Sequence, residues 1–96
     1  MDGMKLSALL TLFVLLSGTA AQAACYADYK AKQDGPLRLH YGVVEIDGPC
    51  TVSNARQVLP GRLNAGGWTL LTVLGTFDEN GLDSRKESAG EFFLRF

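Results

Sequence analysis

No run of one charge sign occurs in this chain, and that absence removes a first group of functions. Its 96 residues carry 9 Lys/Arg against 10 Asp/Glu, a net charge of −1, with the two signs interspersed. Nucleic-acid binding calls for a basic stripe, so no nucleic-acid partner is expected, and mixed charge of this kind is the pattern of an ordinary solvated surface. Internal repeats and low-complexity segments are lacking as well. Cysteine is scarce at 2 residues, and histidine scarcer, with His40 alone. Two thiols and one imidazole fall short of a four-ligand metal set, and Cys25 and Cys50 form no C-x-x-C pair. Neither a metal, nor a cofactor, nor a thiol redox centre is expected.

Long apolar runs are equally few, and the one present stands at the start. Lys5 is followed by an apolar run from Leu6 to Leu16 and then by small residues from Ser17 to Ala24. That is the layout of a secretory signal peptide. Ala21-Gln22-Ala23 fits its small-x-small cleavage rule, so the leader is read as 1–23 and the mature chain as periplasmic or secreted. A retained span needs about 20 mostly apolar residues, whereas this run fades into Gly, Thr and Gln; no stable membrane span is expected. A lipid anchor on Cys25 is disfavoured by Gln22, which stands where a leucine-like residue is usual.

The mature chain is long enough for one domain with a thin core, since a chain of this size buries only roughly 60% of its unfolded surface. Export places Cys25 and Cys50 where disulfides persist. Closing that loop contributes roughly 3.5 kcal/mol on the chain-entropy model.

Ala24 to Pro36 shows no clear periodicity and is read as an N-terminal segment (24–36) tied down by the disulfide. In the domain proper (37–96), Leu37, Leu39, Tyr41 and Val43 alternate with polar or small residues, marking a first strand to Ile46, with a slip near Gly42. Asp47-Gly-Pro-Cys50 is a turn. Thr51, Ser53 or Asn54 can then cap a helix whose apolar positions, Ala55, Val58, Leu59 and Leu63, recur at helical spacing. Pro60 inside that pattern predicts a kink or two short helices. Gly66-Gly67 suits the helix end, where a left-handed residue is common. A second strand runs from Trp68 to Phe77, a polar loop from Asp78 to Gly90, and a third strand from Glu91 to Phe96. The expected fold is α+β: a three-stranded sheet, in sequence order β-α-β-β, under one covering helix.

Tyr41-Gly-Val-Val-Glu45, Leu63 leading into Gly67-Trp-Thr-Leu-Leu-Thr-Val73, and Phe93-Leu-Arg95 together carry a resemblance. The stretch from Leu37 to Phe96 resembles a widespread bacterial domain family of unknown function with a Tyr-x-Val-Val-Glu, Gly-Trp-x-Leu-x-x-Val, Phe-x-Leu-x-Arg pattern. The whole chain is similar to small secreted proteins of alphaproteobacteria. Thr69 stands where that family usually has glutamate. The resemblance implies the fold and supplies no catalytic residue.

Several residues invite a functional reading. A catalytic imidazole needs an orienting partner and something to exchange a proton with; the sequence groups nothing with His40, so a structural histidine is expected. Asp78, Asn80, Gly81 and Asp83 mimic a calcium loop, yet the calcium pattern wants glycine sixth and glutamate twelfth, and Ala89 holds the twelfth place. A solvated turn is expected. Trp68 is expected to anchor packing rather than to stack on a ligand. A core of Tyr41, Val43, Leu63, Trp68, Leu70, Phe92 and Leu94 is expected under the helix. Leu71, Val73, Phe77 and Phe93 fall on the other face, which one helix cannot cover. Either the N-terminal segment, through Tyr26 and Tyr29, or a second subunit should cover it, and a homodimer is favoured. The function expected is that of an exported, non-catalytic domain that binds itself, an envelope protein or a small ligand. The alternatives are a small periplasmic enzyme using His40 and a lipid-anchored envelope protein.

Overall fold

The structure, a computed structural model, describes residues 23–96. The leader expected over 1–23 therefore lies outside the described residues but for its last position. The chain folds as α+β, with a three-stranded antiparallel sheet, one main helix, a short C-terminal helix and a Cys25–Cys50 disulfide. Strand β1 is Cys25–Gln33, β2 is Arg38–Ile46, helix α1 is Val52–Ala65, β3 is Thr69–Phe77 and α2 is Asp83–Ala89. Short 3₁₀ turns flank α2 at Glu79–Gly81 and Gly90–Phe92.

The segment expected to lie outside the sheet is its central strand. In space the order is β2-β1-β3. Cys25, Ala27, Tyr29 and Ala31 are buried on one face, while Tyr26, Asp28, Lys30 and Lys32 alternate with them. That is a period of two, but the inward residues are mostly small and the outward ones include tyrosine, so hydropathy conceals it. The β-α-β portion of the expected order, β2-α1-β3, is present. The third strand is β1, not Glu91–Phe96.

Helix α1 lies across the face formed by Cys25, Ala27, Tyr29, Ala31, Val44, Ile46 and Val73, and contributes Ala55, Leu59 and Leu63 to the core. Thr51 caps it, its hydroxyl accepting from the amide of Asn54 at 3.0 Å. Asn54 in turn donates its side-chain amide to the carbonyls of Asp47 and Pro49, at 2.7 and 3.0 Å, which fixes the turn carrying Cys50. Pro60 sits inside α1, and the helix runs through it as one element rather than two. At the other end Gly67, at φ 85, takes the left-handed position. The amide of Gly67 donates to the carbonyl of Asn64 and that of Trp68 to Leu63, the paired bonds of a Schellman end.

On β3 the expected alternation fails because the pairing with β1 slips twice. Asp28 pairs with Gly75 and Tyr29 with Val73; Lys30 pairs with Thr72 and Ala31 with Leu70. Leu74 and Leu71 are thus extra residues with no partner on β1, each the mark of a bulge. One consequence is that Val73, expected on the open face, lies in the core under α1. The other is that Leu71 and Leu74 are left exposed.

The second face of the sheet is covered over part of its area by the C-terminal segment, neither of the two covers expected. Helix α2 and the turn after it pack on β2, where Val43 and Ala89 are buried. Phe93 aligns beside Val43 along the outer edge of β2, and the amide of Leu94 donates to the carbonyl of Val43 at 2.8 Å. Glu91–Phe96 is not a strand, because Leu94 takes φ 58 and the chain bends there. Leu94 is accordingly exposed and leaves the expected core. Phe77 stacks on Tyr26 at 6.0 Å and lies under Arg85 at 3.9 Å. With Phe77 and Phe93 occupied inside the chain, the sheet-to-sheet homodimer loses two of its expected contacts.

The disulfide joins the first residue of the central strand to the turn before α1, with a Cα–Cα distance of 5.6 Å across a separation of 25 residues. Replacing both cysteines by alanine is expected to lower unfolding free energy by roughly 3.5 kcal/mol, on the loop-entropy model. Denaturant titration of the two proteins measures it, and midpoints that coincide would refute a bracing role.

Candidate functional site

Three constellations carry chemistry, and the first is His40. It lies on the α1 side of β2, 8% exposed, with Nε2 hydrogen-bonded to the Tyr29 hydroxyl at 2.9 Å. Tyr29 reaches it by crossing Gly42, where a Cβ would stand 2.3 Å from the Tyr29 hydroxyl, so only glycine fits. The ring of Phe92 stacks on His40 at 3.7 Å, Trp68 meets it edge-on at 4.2 Å, and Phe96 lies 6.1 Å away. Burial lowers the His40 pKa below 6.5; the Arg95 charge pushes the same way and Glu91 opposes it. Burial likewise pushes the Tyr29 hydroxyl up to about 12. His40 Nδ1 has no hydrogen-bond partner.

This pair is neutral near pH 7, and aromatic rings enclose it. An acid–base residue must reach a substrate proton through a ring nitrogen, and here Nε2 is engaged by the Tyr29 hydroxyl while Nδ1 is buried. The arrangement instead lets β2 grip the C-terminal segment through Phe92 and Phe96. Trp68, the expected anchor, is half-buried and joins this cluster together with Phe92. Arg62 of α1 adds a polar clasp, donating to the carbonyl of Glu45 at 2.8 Å and to that of Phe96.

On the opposite face, Asp28 of β1 is buried and accepts two hydrogen bonds on the same oxygen. One comes from the Tyr41 hydroxyl at 2.9 Å, the other from Arg85 Nε of α2 at 3.1 Å. Burial, followed by the hydrogen bond to the Asp28 carboxylate, pushes the Tyr41 hydroxyl up to about 12. Tyr41, expected in the core, is half-buried here. No local pattern announces this triad, because Asp28 and Arg85 are 57 residues apart. Asp78, first residue of the calcium-like stretch, caps a 3₁₀ turn by accepting from the amide of Asn80 at 2.9 Å.

The third constellation is open. Beyond the reach of α2, the second face holds a shallow groove of about 270 Å³ lined by Lys30, Leu39, Tyr41 and Leu71, with Ala31 and His40 beneath. Ala31 and His40 direct their side chains to the α1 face, so what they present to the groove is backbone. Leu39 is 67% exposed and Leu71 50%. Of the expected interface residues, only Leu71 lies here; Val73, Phe77 and Phe93 do not. Leu70, expected in the core, packs against it, and Leu63 and Val43 are fully buried.

Comparison of the chain with protein-family models, with characterised proteins and with solved structures finds no match.

The enclosed groups make two outcomes measurable. Because the folded state holds His40 neutral, the unfolded chain binds more protons below pH 6.5, and stability must fall as pH drops through that value. His40→Phe should flatten this fall; melting curves at neutral and mildly acidic pH compare the two, and equal slopes would refute the assignment. Arg85→Ala leaves buried Asp28 with one partner and is expected to cost about 2 kcal/mol. An unchanged denaturation midpoint would show that the ion pair does not hold α2 to the sheet.

Proposed function

We propose that the chain is an exported, disulfide-braced domain that acts by binding rather than by catalysis. The leader layout and the disulfide support export. The Cys25 sulfur is engaged with Cys50, which supports a mature chain without an acyl chain on that residue. His40, the residue on which an enzyme reading would rest, is committed to packing.

The observation that carries the binding reading is the open half of the second sheet face. Leu39 and Leu71 are at least half exposed and line a groove that the chain's own α2 leaves uncovered, and Leu37, two residues before Leu39, is exposed as well. Scattered exposed leucines are ordinary, but leucines grouped at a groove mark a contact surface. A small ligand, an envelope protein, a second copy of the chain or another apolar surface fits this chemistry.

If the leucines serve contact and not folding, Leu39→Ser with Leu71→Ser should change stability by no more than about 0.5 kcal/mol per site, as exposed substitutions do. The same double variant should lose most of the fluorescence of an environment-sensitive apolar dye bound to the parent. Unfolding of the variant, or dye binding equal to the parent's, would remove the basis of the reading.

A further inference from the structure

Of the five exposed leucines among the described residues, Leu37, Leu39 and Leu71 gather at the end that carries the β1–β2 hairpin, while Leu74 lies mid-strand on β3 and Leu94 beside Val43. Leu37 closes the hairpin and is 63% exposed, Leu39 follows it on β2, and Leu71 stands near the start of β3. The hairpin tip, residues 34–37, is exposed throughout.

Charge separates along the same axis. From Tyr29 to His40 the chain carries Lys30, Lys32 and Arg38 against one acid, Asp34, and Thr69–Phe77 carries no charged residue. Lys32 and Asp34 form an exposed pair at 3.3 Å, of the kind that contributes little and is readily exchanged for another anion. Lys30 is exposed and lines the groove. Glu45 and Asp47 sit at the opposite end of the sheet, beside Cys25, where Tyr26 pairs with both Glu45 and Phe77. Asp78 and Glu79 come after Phe77 at that same end. Arg62 stands with Glu45 and Asp47 at the acidic end, and Arg95 and Glu91 both act on His40 near the other. The chain thus keeps an apolar end with an excess of cations and an opposite end with an excess of acids.

We propose that the hairpin end docks on an anionic lipid surface, with Leu37, Leu39 and Leu71 entering the headgroup boundary and Lys30, Lys32 and Arg38 meeting the phosphates. The proposal rests on the binding reading above and names its partner. Apolar residues ringed by cations are the chemistry of interfacial binding, and the charge separation turns this end toward a negative surface before contact. A second copy fits less well. A two-fold contact through this patch brings Lys30, Lys32 and Arg38 of each copy together with only Asp34 of each to offset them, and like charges across an interface repel. Nor does docking require a span: among the described residues no helix is long and apolar enough to cross a membrane.

Co-sedimentation of the protein with vesicles tests it, using phosphatidylcholine alone and phosphatidylcholine mixed with phosphatidylglycerol. The parent should bind the mixed vesicles, release as salt is raised, and ignore the neutral ones. Lys30→Gln should weaken partitioning roughly five-fold, the worth of one basic residue at such a surface. Leu37→Ser with Leu39→Ser should weaken it about ten-fold or more, with circular dichroism and melting temperature unchanged in both variants. No binding to the mixed vesicles, or equal binding to neutral ones, overturns the lipid surface as partner. A parent dimer that Leu39→Ser dissociates in light-scattering chromatography also overturns it, while leaving the binding reading in place. Leucine variants that fail to fold would bring down both.

Discussion

Tyr29 is the residue on which the remainder of the structure depends. Its ring is fully buried on the central strand, and its hydroxyl needs a partner inside an otherwise apolar core. An unsatisfied buried hydroxyl is costly, so the position of His40 is dictated by it. Reaching His40 in turn requires the bare backbone of Gly42. Once His40 is held this way its ring offers a flat face at the edge of β2, and Phe92 stacks there. That stack, together with the Arg62 clasp on Phe96, brings the C-terminal segment around β2 and sets α2 on the second face, where Arg85 meets Asp28. A chain of contacts thus leads from one phenol to the cover of the opposite side of the sheet.

Much of the α1 side is legible in the sequence. Ala55, Leu59 and Leu63 recur at four-residue intervals, Thr51 is a good cap, and Gly67 ends the helix in the left-handed conformation that paired glycines suggest. The disulfide is legible because the sequence holds only two cysteines. β1 is not, because alanine inside and tyrosine outside invert the usual contrast between core and surface. The facing of Val73 is hidden for another reason: bulges are set by pairing with a neighbouring strand, and no local signal in Leu71 or Leu74 announces them. α2 is obscured by its own composition. Only Ala89 of Asp83–Ala89 is buried, so the helix looks like a polar loop until Arg85 finds Asp28.

The candidate site divides along the same line. The sequence sets no potential partner beside His40, and the one it has in the fold, Tyr29, belongs to the strand that hydropathy conceals. Alternation along the strand puts Leu71 on the open face, but nothing local gives Leu39 a surface role. Exposure of a strand residue depends on what covers it. The covering helix stops short of Leu39 because its attachment is fixed by Asp28 and Tyr41, farther along the sheet.

The two bulges of β3 behave like a frameshift and its suppressor. One extra residue inverts the facing of every position beyond it, and the second restores it. Thr69 and Leu70 therefore keep the facing that an unbroken strand would give them, and only Thr72 and Val73 between the bulges are inverted. Losing Leu71 alone or Leu74 alone would leave one end of the strand out of frame with the core. Losing both would shorten the strand yet keep its ends in phase. The two leucines are thus coupled through strand geometry even if they never touch, and a descendant of this chain can discard them only as a pair.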